Sequence, residues 1–158
     1  MRLRQEVQAV PRSAGLETDP PEINAIDVVV GIIADARNRV LVGQRPEGKP
    51  MAGEWEFPGG KVRSGEFPLH ALRRELGEEL GIVVSEAEPF LRQSHRYPEL
   101  QVHLDVWWVL EFEGQAKPLE NQALRWVAAA ELDRFPLLPA DAPIVTAIRK
   151  RLLGQASD

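Results

Sequence analysis

The chain has 158 residues, a formal net charge of -5, and 44% hydrophobic and 27% charged residues. That is long enough for one domain with a real hydrophobic core, in the composition of an ordinary soluble globular protein. The acidic balance argues against a protein that grips long nucleic acid by its phosphates. The absence of cysteine excludes disulfides, thiolate nucleophiles and zinc–thiolate sites, and no apolar run approaches the roughly 18 residues needed to span a membrane. The N-terminus has charges but no apolar core of a secretory signal, so a cytoplasmic location is expected.

Residues 1–22 mix charges with Pro11, Pro20 and Pro21 and are expected to form a flexible arm, with residues 23–158 as the folded domain. Ile26–Ala34 is a β-branched run and Arg39–Arg45 another. The polar Asp35–Asn38 between them predicts a hairpin. Residues 46–54 hold Pro46, Gly48, Pro50 and Gly53, which is loop chemistry, and Glu54–Gly60 is a short strand ended by Pro58. The strongest helix runs from about Pro68, suited to a first turn, to Leu80, with Gly81 as its stop. Leu100–Phe112 reads as one long strand, Ala123–Ala129 as another, and Ala129–Phe135 as a short helix or turn. A last helix, about Asp141–Leu153, carries Ile144, Val145, Ile148 and Leu152 at helical spacing. Strands, helix, strands, helix is the order of an α/β fold, a mixed sheet with helices on its faces.

The central helix poses a chemical question. At about 100° per residue, Leu69, Leu72, Leu76 and Leu80 form a stripe for the sheet, and Glu75, Glu78 and Glu79 form an adjacent arc. Carboxylates three and four residues apart repel by roughly 0.2–0.5 kcal/mol per pair on an exposed helix, and more at the shoulder of a buried face. One reading is a solvated acidic face. The other is a seat for a hard divalent cation, which takes oxygen ligands and, for Mg²⁺, one or two carboxylates plus substrate phosphate. Gly59, Gly60 and Gly65 permit tight bends ahead of the helix, and Glu66 stands at its entrance.

This segment resembles the Nudix box, G-x5-E-x7-R-E-U-x-E-E-x-G-U with U aliphatic. Gly60, Glu66, Arg74, Glu75, Leu76, Glu78, Glu79, Gly81 and Ile82 occupy its fixed positions. The resemblance extends to the MutT-type branch through "VVVGII", "RVLVGQR", "GEWEFPGGK", "RWVAAAEL" and "LLPADAPIV", over about residues 26–153. It implies an α/β/α sandwich around a mixed sheet and a hydrolase of nucleoside diphosphates linked to a further group, dependent on Mg²⁺ or Mn²⁺. It implies that Glu75, Glu78 and Glu79 hold metal, that Gly59 lends a backbone carbonyl, and that an activated water attacks phosphorus in line. In the MutT branch the products are a nucleoside monophosphate and pyrophosphate. Glu75 or Glu79 would orient or deprotonate the water. Arg74 either braces the carboxylates through Glu66 or Glu78 or clamps phosphate, and Glu66 braces the site. Arg45 resembles the arginine that touches the nucleotide phosphates. Where the branch often has a further metal carboxylate, just before the tryptophan of the last long strand, this chain has Arg125. Glu120 is nearby and either substitutes for it or is an ordinary loop carboxylate.

Asp141 aligns with the segment where MutT carries an asparagine that reads 8-oxoguanine. An amide both donates and accepts, whereas an ionised carboxylate only accepts unless a dry pocket keeps it protonated. Asp141 therefore either reads the base, admitting oxidised guanine or cytosine nucleotides, or caps the last helix. Phe57 and Trp55 line the nucleotide pocket or anchor the loop, and of Trp107 and Trp108 one packs in the core while the other stacks on a base. Phe67 in the cap position staples the loop to the core. His70, His95 and His103 show no metal spacing. The expected partner is a nucleoside triphosphate, with no long nucleic acid and no membrane, for a monomer or homodimer. The alternatives are a Nudix hydrolase of a dinucleotide or nucleotide sugar, and a non-catalytic nucleotide-binding module.

Overall fold

The structure is a computed structural model and describes residues 24–154. The expected arm, residues 1–22, lies outside the described residues. In chain order the strands are β1 (Asn24–Ile32), β2 (Arg39–Gln44), β3 (Trp55–Glu56), β4 (Gly59–Lys61), β5 (Val83–Tyr97), β6 (Leu100–Glu113) and β7 (Ala123–Ala128). The helices are α1 (Pro68–Leu80) and α2 (Ala142–Leu153), with 3-10 turns at Ala129–Arg134 and Pro139–Asp141.

The strands form two sheets. One has the order β4-β1-β6-β5 and the other β3-β2-β7. The first is mixed, because β1 runs parallel to β6 and antiparallel to β4. The predicted turn at Asp35–Asn38 is present. The Asp35 carboxylate accepts the N–H groups of Arg37 at 3.0 Å and Arg39 at 2.9 Å, and Asn38 takes a positive φ of 58°. The strands it joins are nevertheless not simple hairpin partners. They touch at Ala34 and Val40, while β2 takes its main partners, β3 and β7, in the other sheet. The β-branched run is longer than one sheet needs, and its end crosses to the second.

Alternation along β1 decides the layering. Val29 and Ile33 pack with Leu72, Leu76 and Leu80 of α1, whereas Val30 and Ile32 pack with Ile144, Val145 and Ile148 of α2. Successive side chains point to opposite faces, so the helices lie on opposite sides and the sandwich is α/β/α. Leu72, Leu76 and Leu80 are fully buried, each contributing about 1.5–3 kcal/mol of apolar burial.

Helix α1 begins at Pro68 after Phe67, which supplies no side-chain cap, and ends at Gly81 with φ 72°. The N–H of Gly81 returns to the Gly77 carbonyl at 3.0 Å, a left-handed stop that glycine adopts without strain. Phe67 does not staple the loop to the core. It is 69% exposed, its ring edge-on to His70 with centroids 5.7 Å apart. Strand β5 has no counterpart in the predicted elements. It is a 15-residue edge strand broken by register shifts around Glu86 and Pro89. An edge tolerates a proline that a central strand would not.

Candidate active site

Helix α2 covers only part of its face of the mixed sheet. Below it, Ile26, Val28 and Val30 of β1 and Val102 and Leu104 of β6 floor a cavity of about 1040 Å³, ample for a nucleotide. Its walls come from Arg45, Pro46 and the loop 48–51, from Glu56 and Phe57, and from Tyr97, Leu138, Ala140 and Asp141. At its mouth, beyond β4, stand Glu75, Glu78, Glu79 and Glu120.

The carboxylate end is organised by one guanidinium. Arg74 donates to both oxygens of Glu66, at 2.8 and 2.9 Å, to Glu75 at 2.9 Å, to Glu78 at 3.3 Å and to the Lys61 carbonyl at 2.9 Å. The Arg74 hydrogen bonds hold the Glu66 carboxyl down to about 2, with help from the Arg63 N–H. Of the two expectations for Arg74, the geometry is that of the brace, and Glu66 is its counterpart. Glu75 rests on Gly60, where an added Cβ would stand 2.3 Å from the Glu75 carboxyl. Only glycine leaves room for that approach. Glu79 accepts the Gly59 N–H at 3.3 Å. That contact sets Gly59 directly beside the carboxylate row.

Burial raises the Glu79 carboxyl to about 8, aided by the negative charges of Glu75, Glu120 and Glu56. Burial also raises Glu75, against the pull of Arg74. Among the described residues no three histidine or acidic groups converge into a ready-made chelate. Arg74 is the reason, since it draws Glu75 and Glu78 to itself while Glu79 turns to β4. The donors are nonetheless all oxygen, and a carboxyl that holds its proton to pH 8 marks a place short of positive charge. The residues present fit a hard divalent cation.

The opposite end of the cavity carries a second acid. Asp141 is 5% exposed, and its Oδ2 has no hydrogen-bond partner. Burial pushes its carboxyl up to about 8, with the Glu56 charge adding to the rise and the Phe57 N–H opposing it. It does not cap α2; its carboxyl is turned to the cavity wall instead. Phe57 is buried in that wall, while Trp55 packs outside it against Phe135, ring centroids 5.2 Å apart. Arg45 lines the cavity and is held by Glu56 at 3.0 Å and by the Pro50 carbonyl at 2.7 Å. Trp108 is buried in the core under the Arg151 guanidinium, 4.1 Å from its ring. Trp107 packs against the α1 side, so neither tryptophan is in the cavity wall. Arg125, too, lies outside that wall, while Glu120 is at the mouth.

Sequence reasoning missed Glu56 and Tyr97. Burial raises Glu56 despite its Arg45 partner, and its charge acts on both Glu79 and Asp141. Its place between "W" and "FPGG" was the available signal. Tyr97 belongs to the strand the sequence did not announce.

An α/β/α sandwich with a braced carboxylate helix beside a cleft of this size is the framework of a Nudix-type hydrolase. The chain belongs to that family: residues 29–147 match the NUDIX domain, and it is a Nudix hydrolase. It is 40% identical over 133 residues to the CTP pyrophosphohydrolase of Escherichia coli K12, covering 84% of this chain and 98% of that one. It is 39% identical over 120 residues to the 8-oxo-dGTP diphosphatase of Haemophilus influenzae, covering 76% and 88%. Among solved structures, the E. coli ORF135 protein superposes with a TM-score of 0.73 at 37% identity, over 86% of this chain and 96% of that one. Nudix hydrolases in general need a divalent metal. No helix among the described residues is long and apolar enough to cross a membrane.

Proposed function

We propose that this Nudix hydrolase is a nucleoside triphosphate diphosphatase of the MutT type, splitting an oxidised or related nucleotide into a monophosphate and pyrophosphate. The observation that carries this reading is one cleft with carboxylates at its mouth and a buried, proton-holding acid, Asp141, at its other end. Glu75, Glu78 and Glu79 would hold Mg²⁺ or Mn²⁺, with the Gly59 backbone carbonyl and Glu120 as further donors. Bound there, the cation supplies charge neutralisation for the triphosphate and acidifies a water. Glu75 or Glu79 receives the proton of the attacking water. Arg74 and Glu66 keep the row in place, and Arg45 exchanges Glu56 for a phosphate oxygen. Residues 23–158 act as the catalytic unit, in the cytoplasm, as a monomer or homodimer.

Asp141 gives the base specificity a physical basis. A neutral carboxylic acid donates from one oxygen and accepts at the other. It therefore matches a base edge that sets an acceptor beside a donor. 8-Oxoguanine has that edge, O6 beside N7–H, whereas guanine offers two acceptors there. Cytosine has it too, N3 beside the N4 amine, with Phe57 and the β1 floor packing on the ring. The same acid thus supports both 8-oxo-dGTP and CTP or methylated dCTP as substrates, in line with the two kinds of relative. The test is Mg²⁺-dependent turnover of 8-oxo-dGTP, dGTP, CTP and ADP-ribose, with the products identified. Release of pyrophosphate from 8-oxo-dGTP or CTP in preference to dGTP is expected. Preference for ADP-ribose, or release of inorganic phosphate alone, would overturn the proposal.

A further inference from the structure

The residue before Asp141 is gripped from behind. The Gln93 side-chain amide donates to the Ala140 carbonyl, and the Tyr97 hydroxyl lies near enough to the Ala140 backbone for that backbone to act on its ionisation. Both side chains come from β5, four residues apart, and so from one face of the strand. The peptide group between Ala140 and Asp141 is thus tied to the edge of the mixed sheet, with Tyr97 beside it. The Pro139–Asp141 turn has its own tether to the other sheet, through Leu138 N–H to the Trp55 carbonyl at 3.0 Å. Its place between the two sheets is set by these ties. Gln93 is not part of the cavity wall. Its Oε1 is buried without a partner, a cost of roughly the size of a lost hydrogen bond. A leucine or methionine would fill that place without the cost, so packing does not account for a glutamine there.

We infer that Gln93 and Tyr97 are positioning residues for nucleotide selection: they fix the Ala140–Asp141 peptide so that the Asp141 carboxyl meets the base edge at one angle. This rests on the reading of Asp141 as the base-contacting acid. Base selection by paired hydrogen bonds demands a fixed angle, because a donor–acceptor pair that swings meets both the right and the wrong edge. Gln93, which is outside the cavity wall, restricts that swing without itself touching the nucleotide.

Gln93→Leu and Tyr97→Phe each remove one polar group beside that peptide and keep the shape. KM and kcat for 8-oxo-dGTP, CTP and dGTP are measured with Mg²⁺, alone and in an Asp141→Ala background, beside thermal unfolding of each variant. The expected result is a rise of about fivefold or more in KM for the preferred nucleotide, with kcat within about twofold and selectivity over dGTP reduced. In the Asp141→Ala background neither substitution has a further effect. An unmoved preference in a folded Gln93→Leu or Tyr97→Phe protein overturns the inference, as does an equal loss of kcat on all three nucleotides. If Asp141→Ala itself leaves the preference unchanged, the base-contact reading is what fails and the clamp fails with it. That is distinct from a clamp failure alone, in which Asp141→Ala shifts the preference and the β5 variants do not.

Discussion

Replacing Asp141 by asparagine changes how the stability of this protein depends on pH. The carboxyl is buried and raised from 3.8 to about 8. Between those values the folded state holds a proton that the unfolded chain releases, so stability falls as pH rises through the window and levels off above about 8. At about 1.4 kcal/mol per unit, the wild type loses on the order of 5 kcal/mol across it. The asparagine variant does not titrate there and lacks this term. Its extra amide proton adds a cost that is constant with pH. Glu79, also raised to about 8, contributes the same slope to both proteins and cancels in their difference. Urea unfolding of both proteins at about pH 4.5 and about pH 8.5 reads the effect directly. The variant gains on the wild type by several kcal/mol at the higher pH. Parallel stability profiles would show that Asp141 ionises normally in the fold, and the neutral-acid account of base selection would go with it.

Three further outcomes follow from the mouth of the cleft. Glu79→Gln lowers kcat by at least about a hundredfold and reduces the rise in melting temperature that Mg²⁺ gives the wild type; an undiminished Mg²⁺ shift removes Glu79 from the metal site. Gly60→Ala displaces the Glu75 carboxyl, 2.3 Å from the new Cβ, so activity falls about as far as in Glu75→Gln, and a fully active Gly60→Ala enzyme refutes the close approach. Glu66→Gln leaves Arg74 with a neutral partner in place of the paired carboxylate. The midpoint in chemical denaturation falls, and no change in midpoint means the pair does not brace the helix.

The sequence by itself determined the parts whose signals are local. Proline at one end of α1 and glycine at the other set its span, and the leucine stripe set which face it buries. The spacing of Glu75, Glu78 and Glu79 followed from the helical period. Arg74 had to lie within reach of Glu78, because i and i+4 are neighbours on any helix. What only the tertiary structure decided needed residues distant in the chain to meet. Strand β5 escaped notice because Pro89 and its bulges break the alternation that marks a strand, and its pairing with β6 is what makes it one. Tyr97 entered the site by that route, and Glu56 through β3 of the other sheet. Phe67, read as a staple, is exposed where the chain enters α1. Asp141 stood between two local readings, and its carboxyl went to the cavity instead of the helix. A side chain's charge state is set by what surrounds it in space, and the dry wall that keeps Asp141 neutral is assembled from both sheets.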